Sequence, residues 1–306
     1  MISSKALFKF FKNKKIEFFV GVPDSLQKNL ESHFKKIGKN HIIASNEGSA
    51  IAIASGYYLS SNKIPLVYMQ NSGIGNAINP LLSLADSKVY SIPMLILIGW
   101  RGEPGVKDEP QHLSQGEVQI DLLNSLKLPY NIISGESADY KEKIDYGLDI
   151  AKKKSSPFVI LIKKNTFSKI EFNLNKPRKN TLSLTREYSL DILLKSLPKN
   201  SIIVSTTGFT SRELYEYRKN NCSRNPDFYT VGGMGHASQI ALGISINKKK
   251  EVICLDGDGS VLMHMGSLAI NASINKKNYK HIVFNNGAHE SVGNQPTVGF
   301  DIDMSM

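Results

Sequence analysis

The 306-residue sequence predicts an α/β fold in two halves, each a mostly parallel sheet covered by helices on both faces. Three observations predict it. Short apolar runs alternate with stretches of helical period along the whole chain. The length and the 41% hydrophobic content suffice for two cores of ordinary size. Between the halves, residues 169–186 carry a Lys, Asn and Pro bias with little periodicity, the character of a linker. The expected division is a first domain over 1–168 and a second over 187–306.

Taken in order, residues 5–15 read as a helix and Phe18-Phe19-Val20 as a strand that ends at Gly21-Val22-Pro23. Asp24 or Ser25 then caps a helix carrying Leu26, Leu30 and Phe34. Ile42-Ile43-Ala44 is the next strand. It leads to Glu47 and a helix of small residues, Ala50 to Gly56, which permits close approach. Leu66-Val67-Tyr68-Met69 is a strand that ends at Asn71-Ser72-Gly73-Ile74-Gly75-Asn76. Met94-Leu95-Ile96-Leu97-Ile98 is a buried strand followed by a long polar segment, 99–115, and Phe158-Val159-Ile160-Leu161-Ile162 closes the first domain. The second restarts with a helix over 187–196 and a strand at Ile202-Ile203-Val204. Gly232-Gly233-Met234-Gly235 opens a helix to about Ile246, Val252-Ile253-Cys254-Leu255 is a strand, 266–274 is helical, and His281-Ile282-Val283-Phe284 is the last clear strand. The halves read as the same kind of unit without a strong internal repeat.

Composition narrows the function classes. No stretch approaches a membrane span, and the N-terminus is too weakly apolar for a signal peptide. Of the two cysteines, Cys222 and Cys254, the latter sits inside an apolar strand pattern, so a reducing cytoplasm is expected rather than a disulfide. The net charge of +11 comes from scattered short runs such as Lys152-Lys153-Lys154. No basic stripe interleaved with aromatics is present, so nucleic acid is not the expected partner. A lysine-rich composition alone is the plain reading of the charge; a positive field for a small, multiply charged anionic substrate is the sharper one.

The chemistry-bearing residues stand at strand ends. Asp256-Gly257-Asp258-Gly259-Ser260 follows one strand, and Asn285-Asn286-Gly287 follows the next, with residues 260–284, a gap of 25, between them. A carboxylate on a glycine turn and an amide one crossover later reach the same carboxyl edge of a sheet. They suit a hard cation held against a diphosphate, with Asp258, Asn286 and the carbonyl of Ala288 as ligands. Ser260 and the helix start behind Gly259 could receive a phosphate. An ordinary βα turn is the competing reading of the Asp-Gly pair alone. Glu47 is an isolated acid at a helix start, where the macrodipole by itself would account for it.

Gly257-Asp258-Gly259-Ser260 through Asn285-Asn286 resembles the motif of the thiamine diphosphate-dependent enzymes. The resemblance implies thiamine diphosphate and Mg²⁺ as cofactors, with Asp258, Asn286 and Ala288 on the metal. Gly233 and Met234 match the segment whose bulky apolar residue props the cofactor into a bent shape; a core methionine is the plainer reading of Met234. Glu47 matches the glutamate that shares a proton with the pyrimidine N1′, which a raised pKa in an apolar pocket would favour.

The run from Tyr68 to Asp86 continues into Ile98-Gly99-Trp100-Arg101-Gly102-Glu103-Pro104-Gly105-Val106-Lys107-Asp108-Glu109-Pro110-Gln111-His112. With Gly21-Val22-Pro23-Asp24-Ser25 and Asn286-Gly287-Ala288-His289-Glu290-Ser291, it resembles the phosphonopyruvate decarboxylases, with the sulfopyruvate decarboxylases near by. The resemblance covers nearly the whole chain, pyrimidine-binding domain first and pyrophosphate-binding domain second. It implies decarboxylation of 3-phosphonopyruvate to phosphonoacetaldehyde and CO₂, in phosphonate biosynthesis. Sulfopyruvate is the alternative substrate. It also implies a homodimer or larger assembly with active sites between subunits. Ser25 stands where related decarboxylases carry a small polar or acidic residue, with Asp24 beside it; both also suit a helix cap. His112 is a candidate proton shuttle or a solvated loop histidine. Arg101, Lys107 and His289 are candidates for the substrate's second anion. Relatives run on past a segment like Val298-Gly299-Phe300-Asp301, so the second domain is expected to be short at its C-terminal end, and an inactive partner subunit is the non-enzyme alternative. A nicotinamide dehydrogenase is the other enzyme class weighed. Gly73-Ile74-Gly75-Asn76 is only part of a dinucleotide fingerprint, lacking its third glycine.

Overall fold

The computed structural model describes residues 1–168, 184–221 and 225–304. Contacts divide the chain into two units, Met1–Glu171 and Phe172–Met306. Most of the expected linker, 169–183, lies outside the described residues, as does Cys222. At the far end of that stretch Thr185 already caps a helix, Arg186–Ser196, by accepting the Tyr188 N–H at 3.2 Å.

In the first unit, among the described residues, six parallel strands form one sheet: β1 (Phe19–Gly21), β2 (His41–Ile43), β3 (Leu66–Gln70), β4 (Leu95–Gly99), β5 (Tyr130–Ile133) and β6 (Phe158–Ile162). Their order is β2-β1-β3-β4-β6-β5. The apolar runs are continuous because both faces are covered. Val67, Met69, Ile96, Ile98, Val159 and Leu161 point into one core; Leu66, Tyr68, Leu95, Leu97, Ile160 and Ile162 point into the other. Fully burying a side chain of this size contributes about 1.5–3 kcal/mol. β5 was not apparent in the sequence. It is an edge strand, half-exposed over Tyr130, Asn131 and Ile132, and so lacks the apolar run of its neighbours.

In the second unit β7 (Ile202–Ser205), β8 (Phe228–Tyr229), β9 (Val252–Gly257) and β10 (Tyr279–Phe284) form a parallel sheet of order β10-β9-β7-β8. β9 also alternates, with Val252 and Cys254 in one core and Ile253 and Leu255 in the other. A short antiparallel pair follows, β11 (Ala288–His289) with β12 (Gln295–Pro296).

The two units share a topology that the sequence concealed. In each, the first strand lies between the second and the third, and the fourth follows the third. Connections therefore leave the first and third strands in opposite directions, which opens a crevice at their carboxyl ends. In the first unit those ends are Gly21 and Gln70; in the second they are Ser205 and Gly257. No helix among the described residues is long and apolar enough to cross a membrane.

Candidate active site

At the carboxyl edge of the first sheet, Glu47 opens the helix Glu47–Ser61. Asn46 caps that helix, its side chain accepting the Ser49 N–H at 2.9 Å. The Glu47 side chain is buried at 4% exposure. Its Oε2 accepts from Asn76 Nδ2 at 2.8 Å, and burial raises its pKa against the lowering effect of that hydrogen bond. The carboxylate lies over Gly73, where a Cβ would come within 2.6 Å of Glu47 Cγ and closer still to the carboxyl group. The glycine that began the partial dinucleotide pattern thus admits a carboxylate, a poor neighbour for a pyrophosphate.

Asp24 follows β1 and is fully buried. A Cβ on Gly99 would come within 2.7 Å of Asp24 Cγ, so the end of β4 makes room for it. Its oxygens accept from the Leu26 N–H at 3.2 Å and from Gln27 Nε2 at 3.1 Å. Desolvation nevertheless pushes its pKa up to about 6. Gln27 also donates to the carbonyls of Met69 and Leu97, tying the carboxyl ends of β3 and β4 together. The helix expected to carry Leu26 spans only Lys28–Phe34, because Asp24 and Gln27 are occupied in this network.

Arg101 is half-buried and paired with Asp108. Its Nε donates to Asp108 Oδ2 at 2.8 Å and its Nη2 to Oδ1, while Nη1 reaches Ser25 Oγ at 2.9 Å. The guanidinium holds the Asp108 carboxyl far below the usual carboxylate range. Asn71 exchanges hydrogen bonds with the Arg101 backbone, at 3.1 Å to the N–H and 2.8 Å from the carbonyl. Ser25, Arg101 and Asn71 thus share the crevice of this sheet. Within the polar segment 99–115 the structure contains a helix, Pro110–Glu117, rather than a loop alone. It buries His112, which answers the solvated-loop alternative. Burial lowers the His112 pKa, and its Nδ1 has no hydrogen-bond partner among the described residues. Lys107 is exposed.

The second unit assembles its own cluster. Asp258 starts the helix Asp258–Met263 and is buried, its Oδ2 accepting from Thr297 Oγ1. A Cβ on Gly299 would lie 2.6 Å from both Asp258 Oδ2 and Asn285 Oδ1, so these two oxygens converge over that glycine. Asn286 faces its own turn: its Oδ1 accepts the Ala288 N–H at 3.0 Å and its Nδ2 donates to Glu290 at 3.3 Å. The amide packed against Asp258 is thus that of Asn285. Ser260 Oγ accepts from Thr206 Oγ1 at 2.9 Å and from the Gly235 N–H at 3.0 Å, which draws the Gly232-Gly233-Met234-Gly235 segment to the same edge. That segment precedes its helix, which begins at Ala237. Gly235, at φ 90°, permits the turn. Met234 is half-buried, and its Cε and the His289 ring both approach Gly259, where a Cβ would lie 2.7 Å from His289 Nδ1. Burial lowers the His289 pKa, with Asp258 opposing. Gly233 is exposed.

The oxygen-rich set around Asp258 fits a hard divalent cation. The buried, isolated Glu47 fits a group that must exchange a proton in an apolar pocket. Sequence reasoning did not single out Gly73, Asn76, Asn71 or Asp108 as site residues. The first three stand just after a strand, which could have marked them; Asp108 carries no comparable signal.

Residues 1–124 match the family described as thiamine pyrophosphate enzyme, N-terminal TPP binding domain, and residues 206–304 match its C-terminal TPP binding domain. The phosphonopyruvate decarboxylase of Streptomyces hygroscopicus is 33% identical over 277 residues, 86% of this chain and 67% of that protein. That of Streptomyces viridochromogenes is 34% identical, covering 86% and 68%. The sulfopyruvate decarboxylase of Methanosarcina acetivorans is 32% identical over 270 residues, covering 82% and 67%. The chain thus spans about two thirds of the length of these relatives.

Proposed function

The chain belongs to the thiamine pyrophosphate enzyme family, with the phosphonopyruvate decarboxylases among its relatives, and on that premise we propose that it is a carboxy-lyase acting on 3-phosphonopyruvate with thiamine diphosphate and Mg²⁺. The observation that carries the reading is Glu47: a buried carboxyl group with raised pKa, at the crevice of a sheet, over a glycine that leaves it room.

Thiamine diphosphate, when bound, supplies the nucleophilic carbon and the electron sink for loss of CO₂. The chain's own residues bind and orient it. Glu47 would hold or give up a proton at the cofactor's pyrimidine edge, with Asn76 fixing the carboxyl orientation. Asp258, Asn286 and the carbonyl of Ala288 are the proposed Mg²⁺ ligands, and Asn285 is a neighbouring oxygen donor. Gly257, Gly259 and Ser260 would border the cofactor's diphosphate, and Gly233 and Met234 would support its ring. We further propose, as the family resemblance implies, a homodimer as the minimum active assembly, with Glu47 supplied by one subunit and Asp258 by its neighbour.

For the substrate, Ser25 and Arg101 Nη1 offer a polar contact, and buried His112 and Asp24 are the candidate proton carriers. Asp108 already neutralises Arg101, so a second anion must compete with a bidentate ion pair. Lys107, exposed, and His289 are the remaining candidates for the phosphonate. The similarity to a sulfopyruvate decarboxylase favours sulfopyruvate as the competing substrate. Paired assays of CO₂ release from the two oxo acids, with and without thiamine diphosphate and Mg²⁺, test the proposal. Cofactor-dependent release from phosphonopyruvate at the higher kcat/KM is expected; a preference for sulfopyruvate overturns the substrate, and release from neither overturns the reading.

A further inference from the structure

On one face of the second sheet, three side chains with metal-ligating atoms converge. Cys254 and Asp256 are alternate residues of β9 and therefore share a face. His281, on β10, is the register partner of Cys254. That face packs under the helix Ala237–Asn247, since Cys254 shares a core with Ala237 and Ala241. The Cys254 sulfur, an Asp256 oxygen and a His281 ring nitrogen all lie within 4.8 Å of one another, and Asp256 Oδ2 stands 3.2 Å from His281 Nε2.

These spacings approach those of a tetrahedral ion. Bonds of about 2.0–2.3 Å to zinc set its ligand atoms roughly 3.3–3.7 Å apart. The carboxylate and imidazole, hydrogen-bonded to each other, stand close to that separation, and the sulfur needs to close by at most roughly 1 Å. Two hydrogen-bonded strands carry all three groups, so little chain entropy is lost in bringing them together. The other Asp256 oxygen accepts the Gly257 N–H at 3.0 Å, which orients the carboxylate from behind. His281 lies on a strand that is at the sheet edge among the described residues, and its side chain is 13% exposed, which offers an entry.

We propose that Cys254, Asp256 and His281 form a second divalent-metal site, one for a thiophilic ion such as Zn²⁺. Its sulfur and nitrogen donors separate it from the all-oxygen set around Asp258. Binding forms the metal–sulfur bond as the Cys254 thiol releases its proton to solvent. Water fills the fourth position. The ion bridges β9 and β10 just before the turns that carry Asp258 and Asn286.

The experiment is a Co²⁺ titration of the full 306-residue protein, reduced and free of thiamine diphosphate, followed by absorption. One equivalent is expected to give a near-ultraviolet thiolate-to-cobalt charge-transfer band with the intense visible bands of a tetrahedral ion, both displaced by Zn²⁺. The band persists in Cys222→Ser, disappears in Cys254→Ser, and needs at least tenfold more Co²⁺ in His281→Gln. Absence of the band from the unmodified protein, or its loss in Cys222→Ser, overturns the proposal whether or not Cys254→Ser folds. Because Asp258 and the groups described around it offer no thiolate, the result is independent of the proposed decarboxylase activity.

Discussion

Replacing Gly73 by alanine tests the geometry of Glu47 without touching its chemistry. Gly73 has φ −89° and ψ −7°, which any residue adopts, so the penalty is steric and not one of backbone strain. The added Cβ would stand 2.6 Å from Glu47 Cγ and nearer to the carboxyl group, against ordinary contact at 3.4 Å and beyond. The side chain must retreat by about 1 Å, which breaks the 2.8 Å hydrogen bond from Asn76. A displacement of that size at a reacting group costs on the order of 100-fold in rate, or about 2.7 kcal/mol of barrier. Overpacking costs roughly 1–3 kcal/mol of stability. Gly75, two residues on, is the matched control. It lies in the helix Ile74–Pro80 with nothing within 4 Å of its would-be Cβ, so Gly75→Ala is expected to keep full activity and gain up to about 1 kcal/mol of stability. The assay is kcat/KM for CO₂ release at saturating cofactor, with thermal unfolding as the companion measurement. If Gly73→Ala and Gly75→Ala agree within threefold in kcat/KM, the placement of Glu47 over Gly73 does not govern the chemistry.

Glu47→Gln keeps a hydrogen-bonding group beside Asn76 but cannot exchange a proton. It is expected to bind thiamine diphosphate normally while kcat falls by about 10²–10⁴; an unchanged kcat refutes the role. Asp258→Ala removes the central oxygen ligand and is expected to abolish Mg²⁺-dependent cofactor retention through gel filtration; normal retention refutes the metal assignment. Asp24 ties stability to pH. Its pKa rises from 3.8 in the unfolded chain to about 6 in the buried site, so its carboxyl form favours folding. That contribution is complete below pH 3.8 and is lost as pH rises through 6, roughly 3 kcal/mol in all. Urea unfolding at pH 4 and pH 7 is therefore expected to show Asp24→Asn gaining about 2.4 kcal/mol on the unmodified protein between the two pH values, most of the whole contribution; an equal difference at both pH values removes the desolvation argument.

Much of the fold was legible in the sequence because parallel strands buried on both faces need continuous apolar runs, as in Leu95-Ile96-Leu97-Ile98 and Phe158-Val159-Ile160-Leu161-Ile162. Strand β5 was not legible, because an edge position relaxes that need. The helix over Pro110–Glu117 was hidden by its polar composition, although Trp100 Nε1 donates to the Gly116 carbonyl at 2.9 Å and holds it in place.

The sequence by itself determined the two-part α/β character and the strand ends, and it singled out Glu47 and Asp258 there as candidate acids. Those are local properties: periodicity and residue type act over a few positions. Only the tertiary structure decided that Gly73 makes room for one carboxyl group and Gly99 for another, that Asp108 neutralises Arg101, and that Asn285 is the amide over Gly299 beside Asp258. The two glycine contacts join residues that meet only when the strand order brings separate carboxyl ends together; the other two depend on how the segments after β4 and β10 fold back. Burial there, rather than residue type, sets the proton affinity of Asp24 and Glu47.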